Sequence, residues 1–170
     1  MEFLNTIKER MPEHAKDIRL NLDGVIARSS LAPEDAIGVA LAAAFAAKSK
    51  PLVDAFKANI PPAEGYAALT AATLMGMNNV WYPFVEMADD AELKTMRPEL
   101  RMNAYSTHGG VSKAKFESYA LAASIVGKCH FCVKSHFDLL KKEGLTTQQL
   151  RDIGRIAAVV NAAALVIAAE

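Results

Sequence analysis

Apolar residues recur at spacings of three and four along most of this chain, and nowhere do they alternate with polar ones over the length of a strand. Over residues 13–26, Ala15, Ile18, Leu22, Val25 and Ile26 fall on one helical face, so the first thirty residues predict one or two helices. Pro33 followed by Glu34 and Asp35 starts the next helix, with proline in the first turn and acids at the positive end of the dipole. That helix is expected to reach about residue 47, and Pro51 opens a shorter one that stops near Pro61 and Pro62. A long apolar helix is expected from Ala63 to Gly76, then a short charged helix between Asp90 and Met96, then a loop at 106–110. Ser112 can cap a helix over 113–126, and Gly127 marks a break. The helix after it carries both cysteines and ends at Gly144, a residue favoured just past helix C-termini. Thr146 and Gln149 form a capping box for a last helix to about residue 168. The expected fold is all-α, one compact multi-helix domain over residues 1–170.

The pattern also suggests an internal repeat. Residues 71–76 (AATLMG) echo residues 122–127 (AASIVG) at an offset of 51, which predicts a degenerate helical hairpin over about 61–97 and a second over about 112–144. In that register Asn78 stands for Cys129, Trp81 for Cys132 and Val85 for His136. With Gly127 as the corner of antiparallel helices, Glu117, ten residues before it, and His136, nine after it, become neighbours across the hairpin. Cys132 and His136, four apart, share a helical face.

Composition narrows the function classes. Lysine plus arginine equal aspartate plus glutamate at 19 each, so no basic excess points to nucleic acid or an anionic membrane surface. The N-terminal residues carry an early acid and no long apolar run, unlike a secretory signal. The longest uncharged apolar stretch, residues 156–169, is shorter than the roughly 20 residues a membrane span needs. A cytoplasmic protein is expected, and in a reducing cytosol a lone cysteine pair is more often catalytic or metal-binding than structural.

The chemistry is concentrated in residues 127–136, which hold both cysteines and two of the four histidines. Cys129 and Cys132 lie three apart on one helical face and can close into a disulfide. A free thiol titrates at about 8.5, and the thiolate is the reactive form. His136 can take the proton of Cys132, and Glu117 can orient the imidazole and stabilise its charged form. Cys132 is therefore the candidate nucleophile: attack on a peroxide gives its sulfenic acid, which condenses with Cys129, the resolving thiol and proton donor. Three other readings use the same residues. Zinc could be held by Cys129, Cys132, His136 and either His108 or His130. The pair could serve a redox-sensing module without turnover, or be two inert buried cysteines. Met75 and Met77 read as packing, and Trp81 and Tyr82 as core or interface.

Glu117, eleven intervening residues, Cys129-x-x-Cys132 and then His136 resemble the active-site pattern of the alkylhydroperoxidase D family, in the carboxymuconolactone decarboxylase-like superfamily. Residues 12–22, 75–80 and 97–103 are similar to that family too, so the resemblance covers nearly the whole chain. It implies an all-helical subunit in a homotrimer or a multiple of one, and peroxidase activity on hydrogen peroxide and alkyl hydroperoxides. It also implies reduction of a peroxiredoxin, alkylhydroperoxide reductase C, through a mixed disulfide on Cys132. Electrons would come from an external dithiol such as lipoamide, carried by a lipoylated acyltransferase and lipoamide dehydrogenase, with no bound cofactor or metal. A cofactor-free decarboxylase of the same superfamily is the alternative, and it would not need the cysteines. One position departs: the family pattern has histidine immediately before the second cysteine, where this chain has Phe131. His130, one place earlier, is a candidate relay member, but one residue is about 100° of helix rotation.

Overall fold

The computed structural model describes residues 1–170 and contains nine α-helices and no strand. They are α1 (Leu4–Lys8), α2 (Lys16–Leu22), α3 (Pro33–Ala46), α4 (Lys50–Lys57), α5 (Pro62–Ala88), α6 (Asn103–Ser106), α7 (Lys113–Gly127), α8 (His130–Lys142) and α9 (Thr147–Ala169). The all-α expectation holds, with several boundaries within a residue or two of those the sequence suggests.

Three alanine-rich helices, α3, α5 and α7, run parallel at the centre. At their N-terminal ends Lys115 Nζ lies 2.6 Å from Glu64 and 3.3 Å from Asp35. Tyr119, fully buried, donates its hydroxyl to Glu64 at 2.7 Å. Burial pushes Glu64 up, but Lys115 and Tyr119 outweigh it and hold the carboxyl below its usual range. Gly38 is where α3 meets that ring, since a Cβ there would sit 2.4 Å from Tyr119 Cε1. Small residues at Ala40, Ala42, Ala43, Ala67, Ala71, Ala122 and Ala123 let the backbones approach closely, and all are essentially without solvent exposure.

Helix α8 returns antiparallel along α7, with Lys113 Nζ 2.9 Å from Glu143 at the far end. Helix α9 opens on the expected capping box at Thr146 and Gln149 and packs Ile153, Ile156, Val160 and Ala163 against the centre. At 23 residues, with an 18-residue stretch of mean hydropathy 1.7, it is long and apolar enough to cross a membrane. It exceeds the 156–169 stretch because its first turns, which are polar, belong to the same helix, and its apolar stripe is core here. Near its start Asp152 accepts from the N–H and Oγ–H of Ser30 at 2.8 Å each, and from Arg155 and Arg151. Burial pushes the Asp152 carboxyl up, but those donors prevail and hold it at about 2.

The hairpin expected over 61–97 does not exist. Helix α5 runs unbroken through Gly76, because an isolated glycine costs a helix only about 1 kcal/mol and no left-handed residue follows until Asp89. The pair at offset 51, Glu64 and Lys115, marks two helices side by side rather than two copies. The duplication lies elsewhere. Residues 40–43 (ALAA) match residues 120–123 (ALAA), Lys48 matches Lys128, Ser49 matches Cys129 and Val53 matches Val133, all eighty positions apart. The backbone follows the same register. Lys48 and Lys128 are both left-handed, with φ of 59° and 56°. Lys48 N–H donates to Phe45 and Ser49 N–H to Ala44, while Lys128 N–H donates to Ile125 and Cys129 N–H to Ser124, the two bonds of a Schellman turn in each copy. The turn after α7 is thus made at Lys128, one residue past the expected break. Gly127 serves a different need: a Cβ there would lie 2.1 Å from Asn79 Nδ2 of α5.

Candidate active site

The second Schellman turn delivers the chain to Cys129, the N-cap of α8, whose Sγ accepts from the N–H of Cys132 at 3.3 Å. One turn later stands Cys132, and the two sulfurs are bonded to each other at 2.08 Å. Both sit under α5, with the carbonyl oxygen of Asn78 4.0 Å from Cys129 Sγ and 3.8 Å from Cys132 Sγ. The first turn of a helix favours negative charge, so the position suits a thiolate once the bond is reduced.

Access separates the two cysteines. A small pocket of about 160 Å³ is lined by Asn78, Tyr82, Met102, Tyr105, Phe131, Cys132, Ser135 and His136. Cys132 reaches it and Cys129 does not, and Cys129 is wholly buried. At roughly 30 Å³ per water, that space admits a handful of waters or the head of a hydroperoxide.

Glu117, also wholly buried, lies across the hairpin from His136, with Oε2 2.5 Å from Nδ1. Its other oxygen, Oε1, accepts from the hydroxyl of Tyr105 on α6. With Nδ1–H donating to the carboxylate, Nε2 is the ring nitrogen left to act as a base. Nε2 lies 3.1 Å from Met75 Sδ, a weak acceptor. No hydrogen bond joins His136 to Cys132, whose sulfur carries no proton in the disulfide. The two side chains meet through the pocket they both line.

His130 lies outside this group. Its side chain is 84% exposed and its Nδ1 is 3.2 Å from Glu86, so the rotation of one position carries it away from the pocket. Phe131 stacks on Tyr82 with ring centroids 4.2 Å apart and forms the pocket's outer wall. Beyond it opens a groove of about 970 Å³ lined by Trp81, Val85, Met96, Arg97 and His130 among others. His108 packs near Tyr105 and Phe116, not against the cysteines. No three potential ligands converge on a metal position, and neither sulfur is free in this state.

Sequence reasoning missed Tyr105, Asn78 and the contact of Met75. Met75 reads from the sequence as packing alone and Asn78 only as a position in a repeat of the wrong register, while Tyr105 sits in a stretch with no periodicity. Met75 is core, as expected of it, but its sulfur also faces the imidazole.

Comparison with known proteins agrees along the chain. Residues 91–170 match the carboxymuconolactone decarboxylase family. Alkyl hydroperoxide reductase AhpD of Rhodospirillum centenum is 40% identical over 98% of this chain and 91% of its own length. The proteins of the same name from Maricaulis maris and Rhodopseudomonas palustris are 41% and 38% identical, again over 98% of this chain and 98% and 93% of theirs. Identity of that order over essentially full length leaves one assignment: the chain belongs to the alkyl hydroperoxide reductase AhpD family.

Proposed function

We propose that this protein is a dithiol peroxidase that reduces hydrogen peroxide and alkyl hydroperoxides, with Cys132 as the attacking thiol and Cys129 as the resolving one. The observation that carries the reading is the bonded Cys129–Cys132 pair of which Cys132 alone opens on the pocket that holds His136. In the reduced protein His136 Nε2 takes the Cys132 proton, directly or through water in the pocket, while Glu117 stabilises the imidazolium. The thiolate attacks the terminal oxygen of the hydroperoxide; an S–O bond forms, the O–O bond breaks, and the alkoxide leaves as the alcohol after taking a proton from the relay or from Cys129. The Cys129 thiolate then attacks Cys132 sulfenic acid, an S–S bond forms, and hydroxide leaves as water. Two thiols are oxidised and one peroxide is reduced to alcohol and water. An external dithiol restores the pair by exchange, with no bound cofactor.

The same sulfur, the one of the pair that borders the pocket, would form the mixed disulfide through which a peroxiredoxin of the alkylhydroperoxide reductase C type is reduced. A lipoylated acyltransferase with lipoamide dehydrogenase is the proposed electron source. Tyr66, Val80, Phe84 and Met87 make an exposed apolar stripe along α5, which supports self-association, a homotrimer being the expected form. The test is steady-state consumption of cumene hydroperoxide with dihydrolipoamide, thioredoxin and glutathione as donors. Turnover that disappears in Cys132→Ser supports the reading, and unchanged turnover in that variant overturns it.

A further inference from the structure

We infer that Tyr105 is a positioning residue of the proton relay: its phenol fixes the Glu117 carboxylate so that Oε2 is held on His136 Nδ1, leaving Nε2 as the base that serves Cys132. The inference rests on the peroxidase reading above.

The carboxylate of Glu117 has no solvent and two protein donors in view, His136 on one oxygen and Tyr105 on the other. A buried carboxylate held at one oxygen only can turn about its last torsion, and a second donor on the other oxygen removes that freedom. Tyr105 is built into place for this. It comes from the four-residue helix α6, and its ring meets Phe116, the neighbour of Glu117, edge-on at 5.6 Å. Tyr105 also lines the pocket that Cys132 opens on, so the group that orients the relay borders the reacting space.

The other ionisable groups of the surrounding helices face elsewhere. Lys115 and Tyr119 of α7 turn to Asp35 of α3 and Glu64 of α5. Asp152 of α9 faces Ser30, and His130 of α8 faces Glu86. Two further titratable rings lie near Tyr105, His108 with centroids 6.4 Å apart and Tyr82 across the pocket both line, and neither shares a hydrogen bond with it. Tyr105, Glu117 and His136 therefore form a closed unit in series with the thiol.

The experiment is the pH dependence of iodoacetamide alkylation of reduced protein in a Cys129→Ser background, where Cys132 is the only thiol. Four forms are compared: the background, Tyr105→Phe, Glu117→Gln and the double variant. Phenylalanine keeps the ring against Phe116, and helical content by circular dichroism checks that each form is folded. With the phenol gone, the midpoint of alkylation is expected to rise by about one pH unit, a tenfold loss of thiolate below it. Glu117→Gln moves it at least as far, and the double variant moves it no further than Glu117→Gln alone. A midpoint that stays in place in Tyr105→Phe while Glu117→Gln moves it overturns the role of Tyr105 and leaves the relay standing. Additive shifts also overturn it, because Tyr105 would then act independently of Glu117. A midpoint unmoved by Glu117→Gln overturns the relay itself, and Tyr105 with it.

Discussion

The turn between α3 and α4 and the turn between α7 and α8 have the same backbone and opposite contents. Each ends an alanine-rich helix on a left-handed lysine, closes the same two Schellman bonds and starts the next helix two residues later. Eighty residues apart, Ser49 stands against Cys129, Leu52 against Cys132, Phe56 against His136, Ile37 against Glu117 and Ala47 against Gly127. The first copy uses these positions for packing: Ile37, Leu52 and Phe56 are buried, and Phe56 takes Phe3 of the N-terminal arm edge-on at 6.0 Å. The second copy puts a thiol, an imidazole and a carboxylate at three of the same places. Geometry therefore comes from the turn and chemistry from a few side chains set on it. The polar ones must satisfy one another because solvent cannot reach them.

The comparison is broken most severely by making the second copy resemble the first. Replacing both Glu117→Ile and His136→Phe should lower peroxide turnover by roughly 10²–10⁴-fold, the contribution of a positioned acid–base pair. Stability should hold or improve, since exchanging a buried polar pair for apolar residues of similar volume is neutral or gains about 1–4 kcal/mol. Glu117→Ile alone should instead cost about 3–5 kcal/mol, because it leaves His136 buried without its partner. Urea denaturation of the three proteins checks this, and equal stability of single and double variants would refute the pairing.

A second break concerns Gly127, where the first copy carries Ala47. Only the second turn has a neighbour in the way, Asn79, so Gly127→Ala should cost about 1–3 kcal/mol by overpacking. The same alanine is already present at 47 without strain. Denaturant midpoints decide whether the close approach of α5 is what requires glycine.

Asp152 joins the two copies, tying the segment ahead of α3 to the helix that follows α8. Its folded-state carboxyl is held down at about 2, below the unfolded value near 4, so its contribution is complete above pH 4 and lost as pH falls toward 2. With its side chain 3% exposed, that contribution is roughly 2 kcal/mol. Stability measured from pH 6 to pH 2.5 should fall less steeply in Asp152→Asn than in the parent, and identical slopes would count against the clasp.

The smallest effect sharpens the equivalence. A non-glycine residue in the left-handed region carries about 1 kcal/mol of strain. Lys48→Gly and Lys128→Gly should each therefore raise stability by a few tenths to about 1 kcal/mol, and by similar amounts. A gain at one position only would mean that the two turns are not under the same strain.

Much of this was legible in the sequence. Helical periodicity and caps marked most of the main elements, because proline, the capping box at Thr146 and Gly144 act locally. Counting outward from the turn brought Glu117 to His136. The repeat was misread because Gly76 and Gly127 look alike as letters, while the residue that turns the chain is a lysine and Gly127 answers to Asn79, forty-eight positions away. Tyr105 was invisible for a similar reason: it belongs to a four-residue helix, and its only distinction is a contact made in three dimensions. His130 was placed correctly on its helix but faces Glu86 and solvent rather than the pocket.

The central claim, that Cys132 is oxidised by peroxide and resolved by Cys129, is tested most directly in a single turnover. Reduced protein is mixed with one equivalent of cumene hydroperoxide without any donor, and thiols, intact mass and alcohol are measured together. The account predicts one alcohol formed for two thiols lost and a mass lower by two hydrogens, with Cys129→Ser stopping at a protein one oxygen heavier. Two thiols retained with the peroxide unconsumed would contradict it.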